Sequence, residues 1–178
     1  MGNVSKEETR ATMMRTVVEL MDEGFAVSEI SGHTVTEHCG VDKMYVNRYF
    51  TDLPGLFLET IQYLLTERLA SMLSQDVFSV GDLAVDPNVG HAFRIASHLS
   101  GREDCHDRLI ALARVVSNVF AKQLQNNFGL DQKRALSEAK FGLMAMSGYL
   151  IFGDLLEVDP KNMREVLQER QKYLIRNS

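Results

Sequence analysis

The sequence predicts an all-α protein of about nine helices, and three kinds of observation carry that prediction. Apolar residues recur at spacings of three and four through most of the 178 positions. The nine methionines, with many leucines and alanines, favour helix because unbranched side chains lose little rotamer freedom there. Capping residues and breakers also punctuate the chain at helix-length intervals, while the β-branched residues show no strand-like alternation.

In order, Ser5 followed by Glu8 has the form of a capping box and starts a first helix. Met14, Val17, Val18, Met21 and Phe25 give that helix its apolar stripe, and Gly24 ends it. Ser31 caps a short second helix through Val35 to Cys39, and Gly40 interrupts. Asp42 caps a third, Lys43 to Phe50. Asp52 and Pro54 open a longer fourth helix with Leu56, Phe57, Leu64, Leu65 and Met72 as its apolar positions. Residues 74–88 are irregular, with Gly81, Asp86 and Pro87 as breakers. Pro87 then begins a helix towards Leu99, and Ser100-Gly101 ends it. A long helix follows from Asp104 to Phe128, and Gly129 stops it. Asp131 caps Gln132 to Leu156, and Asp159-Pro160 starts the last helix, Lys161 to Arg176. The expected division is residues 1–52 and 53–178.

Composition sets the function classes aside one by one. The longest apolar run, Phe141 to Gly153, falls short of the roughly 20 residues a membrane span needs, so a cytoplasmic protein without a membrane partner is expected. Cys39 and Cys105 form neither a disulfide framework nor a metal spacing and read as small apolar residues. His91, His98, Cys105 and His106 match no ligand motif, no phosphate loop follows a strand, and no catalytic set stands out. No enzyme activity, metal or cofactor is expected. Charge runs against nucleic acid: the net is −5, and residues 1–58 carry five Lys/Arg against nine Asp/Glu.

Pattern outweighs charge at the second and third helices. Two short helices joined by Cys39-Gly40-Val41 make a helix-turn-helix, with Val35, Val41, Val46 and Phe50 placed to pack inward. Lys43, Met44, Tyr45, Asn47, Arg48 and Tyr49 are left outward. Arginine and asparagine can bond guanine and adenine edges bidentately, and lysine and tyrosine reach phosphates.

The stretch from Val35 to Phe50 resembles the DNA-binding core of the TetR family of transcriptional regulators. Val35, Gly40, Val41, Lys43, Val46, Tyr49 and Phe50 stand where that family carries its characteristic residues. Gly24-Phe25 and Leu56-Phe57 extend the resemblance over about residues 9–58. It implies a recognition helix with Lys43, Met44, Tyr45, Asn47, Arg48 and Tyr49 at double-stranded operator DNA, and His33 and Thr34 beside them. Arg10 is a further candidate for phosphate. Asn47 and Leu53 replace a tyrosine and a lysine that usually hold phosphates, which should weaken non-specific binding and flatten its salt dependence.

In the C-terminal half, Ala135, Ala139, Gly142, Met146, Tyr149 and Gly153 form a heptad stripe of mostly small residues, and Met163, Val166, Leu167 and Leu174 form an apolar face on the last helix. These are the expected homodimer interface, since the family dimerises through its last two long helices. The resemblance also implies an effector pocket, for which Phe78, Phe93, Leu112, Val116, Phe120, Phe141 and Met144 are the candidates. Their chemistry suits a small apolar or aromatic effector. The expected function is a ligand-responsive repressor. The alternative is a TetR-like helical dimer with weakened DNA binding that serves a small molecule or a protein partner.

Overall fold

The helix-forming stretches close on themselves wherever a side chain or a glycine can satisfy the free backbone groups at their ends. The computed structural model describes residues 5–42, 44–73, 86–152, 157 and 159–176. Lys43, Phe78 and Gly153 lie outside them, as does the side chain of Leu174. Among the described residues there are eight α-helices and no strand. They are α1 (Lys6–Asp22), α2 (Gly32–Cys39), α3 (Met44–Phe50), α4 (Leu53–Leu73), α5 (Pro87–Ser100), α6 (His106–Phe128), α7 (Gln132–Phe152) and α8 (Pro160–Arg176). Single 3₁₀ turns at Val27–Glu29 and Glu103–Cys105 precede α2 and α6.

The caps are largely those the sequence predicts. The Ser5 hydroxyl accepts from the Glu8 amide at 3.1 Å, and Ser31 accepts from Thr34 at 3.0 Å. Asp86 accepts from Asn88 and Val89 with Pro87 in the first helical turn, and Asp131 accepts from Arg134. Gly24, Gly40 and Gly129 all take left-handed backbone, with φ of 98°, 69° and 64°. At Gly40 the turn closes as a Schellman motif: the Gly40 amide reaches the Glu37 carbonyl, and the Val41 amide reaches Thr36 at 3.0 Å.

Two cores form. The first gathers Met13, Val17 and Leu20 of α1, Val35 of α2, Val46 and Phe50 of α3, Leu56, Phe57, Ile61 and Leu64 of α4, and Ala92, Ile95 and Leu99 of α5. The deepest face of α1 is thus Met13, Val17 and Leu20; Met14 and Val18 only flank it, and Phe25 is exposed. The stripe is rotated because α4 and α5 cover α1 from a side that spacing alone does not reveal. The second core joins Val116, Phe120, Ala121 and Leu124 of α6 to Ala135, Ala139 and Met146 of α7 and Leu167 of α8. The helices α6 and α7 form an antiparallel hairpin across Gly129-Leu130-Asp131.

The passage from α3 to α4 is the tightest in the chain. Thr51 is left-handed at φ 73°, and Asp52 caps α4 by accepting from the Gly55 amide at 2.6 Å. A Cβ on Gly55 would overlap the Phe50 carbonyl oxygen, so only glycine lets α3 end against α4. Chemical denaturation should therefore show Gly55→Ala losing more than about 2 kcal/mol, as expected for a side chain forced into backbone. Thr51→Gly should gain about 1 kcal/mol by removing the left-handed cost of a β-branched residue.

Candidate nucleic-acid interface and effector cavity

The outer face of the helix-turn-helix follows from which side of α3 the core consumes. Val46 and Phe50 point inward, which turns Met44, Asn47 and Arg48 to solvent; Met44 is 70% exposed. Tyr45 and Tyr49 are half-buried, their rings tilted against each other with centroids 5.2 Å apart. The Arg48 guanidinium lies 5.9 Å from the Tyr45 ring centre and 5.8 Å from that of Tyr49, and the Lys6 ammonium lies 5.9 Å from Tyr49. The two tyrosines therefore hold Arg48 through cation–π attraction, which leaves its donors free for a guanine edge. Asn47 can serve adenine, and Met44 can pack on a thymine methyl.

Around this face, His33 is exposed with Glu37 at 3.6 Å, and the Thr34 hydroxyl is paired with Ser31 at 2.7 Å. Thr36 is buried, its hydroxyl donating to the Gly32 carbonyl at 2.9 Å, so it packs the turn. Cys39 sits at the same turn, and burial pushes its thiol up. Leu53 packs against the first core, so its apolar character is used internally.

Arg10 needs a correction. Its guanidinium donates to the Tyr49 carbonyl and the Glu59 carboxylate and lies 4.8 Å from the Phe50 ring centre. One side chain thus ties α1, the end of α3 and α4 together, and a residue so engaged is a clamp, not a phosphate anchor. Lys6 and Glu59 escape sequence reasoning because their partners are distant in the chain; Glu59 is 49 positions from Arg10.

Farther along, a cavity of about 370 Å³ opens between α4, α5, α6 and α7. Its lining includes Phe93, Leu112, Val116 and Met144, together with Ile61, Leu65, Ala92, Ala96, Leu109, Ala113, Leu143 and Ser147. The Ser147 hydroxyl already donates to the Leu143 carbonyl at 2.7 Å, leaving a wall suited to an apolar guest. Phe120 and Phe141 are corrections. Phe120 is committed to the second core, and Phe141 faces outward with Arg170 4.5 Å from its ring centre. Neither lines the cavity: Phe120 continues the stripe of Leu109, Leu112 and Val116 one turn beyond it, and Phe141 lies on another face of α7.

The expected dimer stripe is enclosed in part by the chain itself. Ala135, Ala139 and Met146 are buried within the chain, where their small or flexible side chains let α7 approach α6. Tyr149 and Met163 pack at the edge of that core, Leu167 lies inside it, and Gly142 is half-buried. What faces outward is Phe141 and Met144 on α7 with Val166 and Tyr173 on α8; Met144 is 73% and Val166 62% exposed.

No protein-family model matches the sequence, and no curated protein matches it. Two solved structures share the fold. One is a transcriptional regulator from Rhodococcus sp. Rha1, with a TM-score of 0.69 at 14% identity over 94% of this chain and 96% of that one. The second, from Rhodococcus sp., is described as a TetR-family transcriptional regulator. It gives a TM-score of 0.61 at 16% identity over 94% of this chain and 99% of the other. The chain has the TetR-family fold. No described helix is long and apolar enough to cross a membrane.

The two arginines should separate cleanly by mutation. Arg10→Met should cost about 2 kcal/mol in denaturant unfolding, the usual loss for hydrogen bonds to charged groups. Arg48→Ala should stay within about 0.5 kcal/mol of the parent, as exposed substitutions do. At pH 8, Cys39 should react with iodoacetamide more slowly than a free thiol and accelerate as pH rises, because its raised pKa lowers the thiolate fraction.

Proposed function

We propose that this TetR-fold protein is a DNA-binding transcriptional regulator, a homodimeric repressor released by a small apolar or aromatic effector. The observation that carries this reading is the solvent face of α3: Met44, Asn47 and Arg48 exposed in sequence order, with Arg48 held over Tyr45 and Tyr49 and unspent on any carboxylate among the described residues. Base-edge chemistry of this kind suits a major groove. His33 and Thr34 join the interface by their place beside it, and Lys43 by preceding Met44 in the sequence. Residues 1–52 form the DNA-reading unit, and 53–178 the effector and dimer unit.

Dimerisation follows from the exposed apolar face of α7 and α8. Phe141, Met144, Val166 and Tyr173 would meet their counterparts on a second copy, with Gly142 alongside. Two reading heads related by a two-fold axis would then address half-sites about 34 Å apart. The effector would occupy the cavity between α4, α5, α6 and α7 and favour a conformer with its heads off that spacing. It can shift the equilibrium only by its unequal affinity for the two conformers.

A second reading has its own support. The acidic N-terminal unit, Asn47 and Leu53 at customary phosphate positions, and Arg10 spent on Glu59 all lower the number of cations left for DNA. A TetR-fold dimer serving a small molecule or a protein partner is the form this would take.

Selection from random duplex at low salt decides between them: an enriched pseudo-palindrome is expected, and its absence refutes the repressor. Arg48→Ala should weaken the selected site by about 10-fold or more, the discrimination of one bidentate base contact. The parent should lose affinity with salt less steeply than a protein with six to ten phosphate contacts. Val166→Glu should convert the dimer to a folded monomer in sedimentation; an unchanged dimer would place the interface elsewhere.

A further inference from the structure

The helix that walls the cavity also carries a polar tie to the DNA-reading unit. Ala92, Phe93 and Ala96 of α5 line the cavity. Their neighbour His91 is only 6% exposed, and its Nε2 stands 2.8 Å from the Asp22 carboxylate. A carboxylate only accepts, so Nε2–H donates. The opposite ring nitrogen, Nδ1, is buried without a hydrogen-bond partner among the described residues. An apolar residue of similar size would fill the same space without burying an unsatisfied nitrogen, so this imidazole is better explained by placement than by stability.

Asp22 is the last residue of α1, and the connection from there to α2 is stiff. Gly24 closes the helix end, with Phe25 bonded back to the Leu20 carbonyl at 3.0 Å. The Glu29 carboxylate accepts from the Ala26 amide at 2.8 Å, and Ser31 caps α2. A displacement of Asp22 therefore carries α2 and the turn to α3 with it. Ile95 and Leu99 also hold α5 against the first core, and the 2.8 Å hydrogen bond adds a directional contact at the end of α1.

We propose that His91 is a positioning residue whose bond to Asp22 transmits occupancy of the cavity to the seat of α1, α2 and α3. This rests on the cavity being the effector site. The test uses Ala96→Phe, which places a ring in the cavity as a built-in occupant; Ala113→Phe does so from the opposite wall should the first not fold. Each is combined with Asp22→Ala, an exposed change that removes the acceptor, and with Asp22→Asn, which keeps one.

Amide hydrogen exchange over residues 20–50 is the readout, and a tie with only a structural role would not alter it in this pattern. Filling the cavity should change exchange there by about fivefold in the parent, within the usual range of site-to-site coupling. The change should fall below about twofold with Asp22→Ala and return with Asp22→Asn. An equal change in the parent and Asp22→Ala, or none in the parent, overturns the proposal. Should the parent select no operator, the regulator reading fails, while exchange still decides the tie.

Discussion

The placement of α3 depends on how it is stopped and held. Its final carbonyls lie against α4 and α1: Phe50 against the Cα of Gly55, and Tyr49 on the guanidinium of Arg10, which also binds Glu59. A helix of seven residues has little stability of its own, so these end contacts and the burial of Val46 and Phe50 set its orientation. Everything outward on α3 inherits that orientation. Arg48 can be poised over two tyrosine rings only because the inward face is already fixed.

The same logic organises the rest of the chain. The helix α4 begins at the end of α3 and continues to the cavity wall, with Leu56 and Phe57 in the first core and Ile61 and Leu65 at the cavity. The helix α5 repeats the pattern, giving Ile95 and Leu99 to the core and Phe93 to the cavity. The first core and the cavity therefore share side chains, Ile61 and Ala92, and a shift at one is felt at the other through packing that resists continuous deformation.

The local part of this structure was legible in the sequence. Caps at Ser5, Ser31 and Asp131, and the helix-ending glycines at 24, 40 and 129, announce themselves because their partners lie within a few residues. The inward positions Val35, Val46 and Phe50 were also readable, because spacing and a turn suffice. Pairings across the chain were not. Nothing near Arg10 points to Glu59, and a stripe of alanines says that some helix comes close without saying which one. That is why Ala135, Ala139 and Met146 read as a surface for a second copy and instead seat α6. Phe120 and Phe141 misled for a related reason: aromatic character marks burial or contact, but the turn and the face of the helix decide where.

The use of Arg10 as an internal clamp has a further consequence on the proposed reading. A regulator must find one site among a genome of competing sequences, and every cation aimed at backbone deepens the wells of all of them alike. Here one of the few arginines of the reading unit is withdrawn into the fold, while Arg48 stays outward. Such a protein dwells briefly on arbitrary DNA, and more of it remains in the free pool. Its discrimination then comes from a shallow background as much as from a deep operator well.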